Sequence, residues 1–457
     1  MHCLSAVAGL VALIELVRPA FTRPSFEKCR VLWLGWLLDT GRRTVAGAIV
    51  AAGQSGKRHH AAWHRFFSQA TWSVDELGRI ILMQVVSHFV KPGQPVVVSI
   101  DDTLAPKKGP RVWGIGNHLD AVRSSRGTKV FCFGHVWVVL CVVVQPGFSH
   151  RAWALPVLFR LYRSKKTAEA DGVPRRKKTE LARELVQQVG AWFPDRTVEV
   201  LGDSAYCCAE LGRNLPENSV LVGAMRPDAA LTALPEPPSG KRRGRRRLRG
   251  KRLPTPAQLA ADDTIPWKEA TVHIYGRRQT VEYKTIDAQW YRVCHVRLLR
   301  VVVVRVTTGT VGIRVYFSTD TTMTPEQLLQ RYALRWTIEV TFRDLKQLLG
   351  FADPPSRKRA AVERTAPWVG LLFSIVVLWY DQHGHGSVLD WTPLRPWYRH
   401  RKGPSFQDIL ATARRAAAAT AFVDPVVLVR LDTNSTEPRG PSPTTASSTP
   451  QSTAFAA

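Results

Sequence analysis

The stretch RYALRWTIEVTFRDLKQLLGF, Arg331 to Phe351, carries the reading on which the fold turns. Set at the ~100° per residue of an α-helix with Tyr332 at zero, Leu334, Ile338, Leu345 and Leu349 fall within roughly 200–260° and form one apolar stripe. On the same wheel Tyr332, Arg335, Glu339 and Lys346 lie within about 60° of one another, beside that stripe. A polar seam of four reactive side chains therefore borders a core-facing helix. The plain alternative is a solvated face held by an Arg335–Glu339 pair at i,i+4, a contact of a few tenths of a kcal/mol. The rest of the chain has to decide between the two.

Upstream, two short apolar runs end in carboxylates. VVVSI leads into Asp101-Asp102-Thr103, and VEVLG leads into Asp203. Both runs read as buried strands, and the ends of such strands are where α/β sheets place their chemistry. Glu339 would supply a third carboxylate. Three carboxylates drawn from separate elements repel one another unless cations neutralise them, which makes divalent metal the natural companion. Taken singly, a strand-end aspartate also serves as a turn or cap residue.

The spacing Tyr332-x2-Arg335-x3-Glu339-x6-Lys346 resembles the Y-R-E-K signature of DDE-superfamily insertion-sequence transposases, the bacterial DDE endonuclease group. IDDTLAPKKG is similar to the first-aspartate motif of that family and LGDSAY to the second, so the resemblance spans roughly Thr44 to Tyr380. It implies an RNase H-like mixed sheet with flanking helices, interrupted by a β-rich insertion ahead of the catalytic glutamate. It also implies metal-dependent cleavage at transposon ends and strand transfer into target DNA. Carried over by position, Asp101, Asp203 and Glu339 become the catalytic and metal-binding triad for two Mg²⁺ or Mn²⁺ ions. Tyr332, Arg335 and Lys346 become contacts to transposon-end phosphates. Asp102 rivals Asp101 for the first position; alternation of faces along a strand lets only one of them meet Asp203, and Asp101 is preferred. Glu339 and Lys346 are seven residues apart, about 10 Å of helix, so the lysine belongs on a neighbouring phosphate and not in the metal site. Lys107 and Lys108, just past the first motif, are further DNA-binding candidates, with a surface role as the alternative. Relatives with this signature can form a hairpin at the transposon end, helped by an insertion aromatic. Trp267 and Trp290 are the candidates, and a core role is the simpler reading of each.

Composition agrees. Lys and Arg outnumber Asp and Glu 64 to 36 over 457 residues, a net charge of +28, which calls for a polyanionic partner. No run reaches the ~18 apolar residues of a membrane span, so duplex DNA, both terminal inverted repeats and target, is favoured over membrane. Because two ends must be brought together, a homodimer on DNA is expected. Cys3 to Val17 is apolar but lacks a preceding Lys or Arg and contains Glu15, which suits a buried helix better than a signal peptide. The expected location is the bacterial cytoplasm, at the nucleoid. Seven cysteines without a CxxC spacing read as reduced, mostly buried thiols.

The order along the chain reads as an N-terminal helical, DNA-binding domain over 1–92 and a first catalytic segment over 93–210. A basic β-rich insertion occupies 211–324, and catalytic helices follow over 325–385. A helical segment fills 386–433, and a Ser/Thr/Pro-rich tail, expected to be disordered, fills 434–457. In the first domain Arg42, Arg43, Lys57, Arg58, His59, His60, His64 and Arg65 gather near Trp63, Phe66 and Phe67, as DNA-contacting helices or as a basic surface over an aromatic core. In the insertion, Lys241 to Arg252 holds nine basic residues in twelve, a density that predicts a mobile loop. Two competing functions remain at this point. One is a catalytically inactive, transposase-derived DNA-binding protein or repressor, against which all three acidic positions argue. The other is a nuclease without strand transfer.

Overall fold

The computed structural model describes residues 2–109, 111–125, 127–236, 247–274, 276–306, 312–390, 397 and 403–420. The expectations for the tail over 434–457 and for half of the basic run, residues 241–246, lie outside the described residues. VVVSIDDTLAP forms β1 (Val96–Pro106), an eleven-residue strand whose first five residues are all buried. A strand apolar on both faces must be covered on both, and it lies near the middle of a ten-stranded sheet. Around it run β2 (Gly116–Leu119), β3 (Phe131–Val144), β4 (Trp153–Tyr162), β5 (Val198–Gly202) and β6 (Ser219–Ala224).

β1 pairs antiparallel with β3 and parallel with β5; β3 pairs antiparallel with β4, and β5 parallel with β6. The order β4-β3-β1-β5-β6 is the RNase H-like core that the resemblance implies. SVLVGA, β6, belongs to this core although it falls inside the range 211–324 read as insertion. The inserted strands proper begin later, as β7 (Lys268–Ile274), β8 (Arg277–Gln289), β9 (Leu298–Val306) and β10 (Gly312–Ser318). They add on antiparallel beyond β6 in the order β10-β9-β8-β7, so the insertion prolongs the catalytic sheet. The reason is the unpaired edge that β6 would otherwise leave, which β10 covers through Tyr316, Phe317 and Ser318.

The N-terminal helices are α1 (His2–Glu15), α2 (Arg23–Leu38), α3 (Val45–Ala51), α4 (Ala61–Ser68) and α5 (Val74–Phe89). Shorter helices α6 (Lys165–Ala170), α8 (Ala209–Gly212), α9 (Pro256–Ala261) and α10 (Tyr291–Cys294) punctuate the loops, and α7 (Lys178–Trp192) joins β4 to β5. After the insertion come α11 (Pro325–Ala333), α12 (Thr337–Leu348), α13 (Arg359–Trp379) and α14 (Phe406–Ala418). The N-terminal helices share one buried core with the catalytic part: Trp33 and Trp368 stack at 5.6 Å, and Trp36 Nε1 donates to Leu349 O at 2.9 Å. Gly78 lets α5 close on β4, since a Cβ there would lie 2.1 Å from Val157 O. By length and composition α13 could span a membrane, but 89% of its apolar window is buried in the protein, which makes it the central core helix.

The basic cluster of the first domain divides on folding. Trp63, Phe66 and Phe67 are buried, while Lys57, Arg58, His59 and His60 stay exposed above them. Arg43 is not part of that surface: it is 7% exposed, and its Nε donates to Trp36 O at 3.2 Å. The six described cysteines are free thiols, four of them buried, as expected.

One buried group ties this fold to pH. His135, on β3, is 2% exposed, and its Nε2 bonds Trp113 O at 2.9 Å. Burial depresses it from 6.5 to about 4, against the pull of that bond and with Lys107 and His118 adding to the shift. Between those values the unfolded chain takes up a proton that the fold refuses, so stability falls as pH drops through the window. At ~1.4 kcal/mol per pH unit the loss attributable to His135 is at most roughly 3 kcal/mol. The unfolding free energies of wild type and His135→Gln should therefore converge between pH 6.5 and 4. Parallel curves would remove His135 from the acid response.

Candidate active site

The parallel register pairs Ile100 with Gly202, so Asp101 and Asp203 each follow directly on a paired residue, on neighbouring strands and on the same face. Strand spacing puts their backbones about 4.8 Å apart. Asp101 is mostly buried. Desolvation raises its carboxyl to about 7, helped by the charges of Asp203 and Asp102 and opposed by the Asp102 amide and Arg335. Asp203 closes a turn, its Oδ1 accepting from Ala205 N at 2.9 Å and Tyr206 N at 3.0 Å.

Asp102 points the other way, and both its oxygens are taken. Oδ1 accepts from Tyr206 Oη at 2.9 Å, and Oδ2 from Lys178 Nζ at 2.7 Å. Lys178 opens α7, so Asp102 ties the sheet to the helix on its second face. Neither partner was legible in the sequence as a site residue. Tyr206 carried a faint signal, standing three positions after Asp203 in LGDSAY; Lys178 carried none.

The stretch Arg331 to Phe351 is not one continuous helix. α11 starts on a capping box, with Thr324 Oγ1 accepting from Gln327 N and Gln327 Oε1 from Thr324 N, and it ends at Ala333. Leu334–Trp336 tighten into a 3₁₀ turn before α12. At three residues per turn this advances the wheel faster than 3.6, which is why Leu334 ends half-buried while Ile338, Leu345 and Leu349 reach the core as expected. Thr341 Oγ1 fixes α12 to β4 by donating to Ala154 O at 2.7 Å. The 3₁₀ turn aims Arg335 into the site: Nη2 contacts Glu339 Oε1 at 2.8 Å, and Nη1 lies 3.4 Å from Asp101 Oδ2. Its guanidinium sits 5.9 Å from the Tyr332 ring centre, and Tyr332 packs on Tyr316 at 4.6 Å. Arg335 thus bridges Glu339, four residues further along, to Asp101, which lies 234 residues before the arginine. Among the described residues no three Asp, Glu, His or Cys side chains form a ready metal cage, and the Arg335 guanidinium contacts both Asp101 and Glu339.

Residues 17–297, more than half of the chain, match the family model of the DDE superfamily endonucleases. The chain belongs to that superfamily. A second model, the archaeal putative transposase ISC1217, matches residues 291–378, the part that contains α11, α12 and most of α13. No curated protein is similar to it at a significant level. Among solved structures, the cryo-EM structure of the piggyBac transposase synaptic complex with hairpin DNA aligns with a TM-score of 0.41 at 11% identity, covering 97% of this chain and 84% of that one.

DDE-superfamily endonucleases generally use divalent metal ions, and the donors here suit them. They are hard carboxylate oxygens, that of Asp101 mostly desolvated, and are already balanced by one cation whose Nε is buried without a partner. The other basic candidates differ in freedom. Lys346 is half-buried and, among the described residues, makes no ion pair or hydrogen bond; burial lowers its ammonium, with Asp120 and Asp102 pulling the other way. Lys108 is exposed. Lys107 is less free than expected, since its Nζ donates to Ala352 O at 2.7 Å and Pro354 O at 2.9 Å and keeps one proton to give. Trp290 is buried edge-on to Phe317, and Trp267 lies under Lys284 and Arg305 at 4.7 and 4.2 Å, so both are committed within the insertion.

Proposed function

We propose that this DDE transposase cuts DNA at the ends of its element and joins the freed ends to target DNA, with Asp101, Asp203 and Glu339 holding two Mg²⁺ ions. The observation that carries the reading is that Asp101 and Asp203 each directly follow the last paired residue of adjacent parallel strands, and that one arginine contacts both Asp101 and Glu339. Bound ions would activate the attacking oxygen and stabilise the leaving 3′ oxygen during in-line displacement at phosphorus. Water as nucleophile leaves a 3′-hydroxyl end. That hydroxyl, kept in the same recess, then attacks a target phosphodiester, and one ester replaces another without a high-energy cofactor.

Each side chain has a part that follows from its place. Desolvation of Asp101 limits bulk water around it and strengthens its hold on cations. Arg335 neutralises the site before DNA arrives and afterwards takes a phosphate with its two-pronged donor. Lys346, two helical turns beyond Glu339, is free to grip the next phosphate. Lys346→Ala should weaken binding to end DNA by about 10-fold with an unchanged melting temperature. A fall in melting temperature as large as that of Leu345→Ala, ~2–5 kcal/mol, would make the seam purely structural.

The test is incubation with a supercoiled plasmid carrying the sequences that flank this gene, in Mg²⁺. Cuts at the outer edges of inverted repeats, with extendable 3′-hydroxyls, are expected. Binding to those repeats without any cut would favour a repressor, and cuts without joined products a simple nuclease.

A further inference from the structure

Three exposed side chains break the polar surface at the sheet's free corner. Phe131 is 58% exposed, Phe133 60% and Leu119 48%. β2 pairs Leu119 with Phe131 and Asn117 with Phe133, so the three project from one face of a protruding two-stranded ribbon. The ribbon stands at the outgoing end of the catalytic strand, where Lys107 N donates to Phe133 O at 2.9 Å. Next to it opens a cleft of about 450 Å³ lined by Arg42, Lys107, Lys108, Arg111 and Arg357, with Asp353 as its single acid. That acid is spoken for, its Oδ2 accepting from Arg43 N at 3.1 Å. The cations come from three separate segments: the α2–α3 loop, the β1–β2 loop and the α12–α13 loop. Arg123 and Lys129, both exposed, flank the ribbon's far end.

We propose that the ribbon and the cleft together form a site for unpaired DNA about 20 Å along the sheet from the scissile phosphate, with the cleft holding phosphates and Phe131 and Phe133 stacking successive bases. The inference rests on the reading of this chain as a DNA-cleaving transposase. Two flat rings two residues apart on a strand lie about 7 Å from each other, the span of one nucleotide step in an extended single strand. Aromatic faces beside a row of cations are the pairing that unpaired nucleic acid needs, since each nucleotide brings a π-face and a negative charge. A protein partner is the poorer occupant: three side chains offer far less than the ~800 Å² per partner of a standard interface, and the five neighbouring cations would repel a second copy of a chain carrying +28.

The experiment compares a blunt duplex of the element's end with the same duplex carrying a frayed arm that contains 2-aminopurine, in metal-free buffer. Wild type should bind the frayed DNA more tightly and quench the probe. Phe131→Ser with Phe133→Ser should lose the quenching and on the order of 10-fold affinity per stacked base, with duplex binding and melting temperature unchanged. Phe131→Leu with Phe133→Leu keeps the apolar bulk but not the rings, and it should lose both as well. Lys108→Ser with Arg111→Ser should flatten the salt dependence on the frayed arm by about 0.7 per phosphate released. Retained quenching in the leucine variant, equal wild-type affinity for frayed and blunt DNA, or a smaller sedimenting species in the serine variant would each overturn the site. If wild type cuts end DNA yet shows no preference for frayed arms, this inference falls alone. If it binds neither DNA, the transposase reading falls with it.

Discussion

Asp203→Ala should lose end cleavage by ~10³-fold or more while still binding DNA, because even outer partners of metal ligands cost ~10–100-fold when removed. Binding should hold or tighten slightly, since one negative charge leaves the neighbourhood of the phosphates. The same experiment separates the two neighbouring aspartates. Asp101→Asn should match Asp203→Ala, because Asp101 shares its face with Asp203 and meets Arg335. Asp102→Asn should cut far better, within about 10-fold of wild type, because Asp102 spends both oxygens on Tyr206 and Lys178. Its deficit should show as a lower melting temperature, from a charge-assisted bond of ~1.5–3 kcal/mol weakened between β1 and α7. Gel assays of cleavage alongside thermal melts decide the matter. If Asp102→Asn is the more severe in cleavage, the first position belongs to Asp102 and Asp101 is the structural residue.

Arg335→Ala should show two opposite effects. In metal-free buffer it should melt lower than wild type, by about 1–3 kcal/mol of stability, because Asp101 and Glu339 lose their shared cation in a recess where the guanidinium is only 14% exposed. Adding Mn²⁺ should then raise its melting temperature by more than it raises that of wild type, since the ion no longer competes with a resident cation. Cleavage should nevertheless fall, on the order of 100-fold, through loss of the phosphate contact. Arg335→Lys, a point charge without the planar fork, should restore the metal-free stability better than the cleavage. An equal Mn²⁺ response in Arg335→Ala and wild type would mean that the arginine does not hold the metal position.

The identity of the elements was legible wherever it depended on neighbours in sequence. Apolar runs marked β1 and β5, a helical period marked the buried face of Ile338, Leu345 and Leu349, and the charge surplus pointed to DNA. β6, SVLVGA, was passed over inside the range read as insertion, although it is no shorter than β5; what assigns it to the core is its pairing with β5, which no local pattern announces. The break at Leu334–Trp336 was missed because no proline or glycine announces it; what accompanies it is an arginine paired with Asp101, 234 residues away.

Sequence by itself determined the mixed α/β class and the buried stripe of Ile338, Leu345 and Leu349, since each follows from spacing along one element, while the three acidic positions came from the resemblance to a family. The tertiary structure alone decided how those pieces meet. Register between β1 and β5 sets Asp101 beside Asp203 and turns Asp102 toward Lys178, and a one-residue slip would exchange them. The β10 edge pairing makes the insertion part of the catalytic sheet, and packing of α12 on β4 carries Arg335 between two carboxylates. The physical reason is range: periodicity is written into neighbouring residues, whereas register, edge pairing and ion pairs are settled only when segments far apart in the chain compete to bury the same surface.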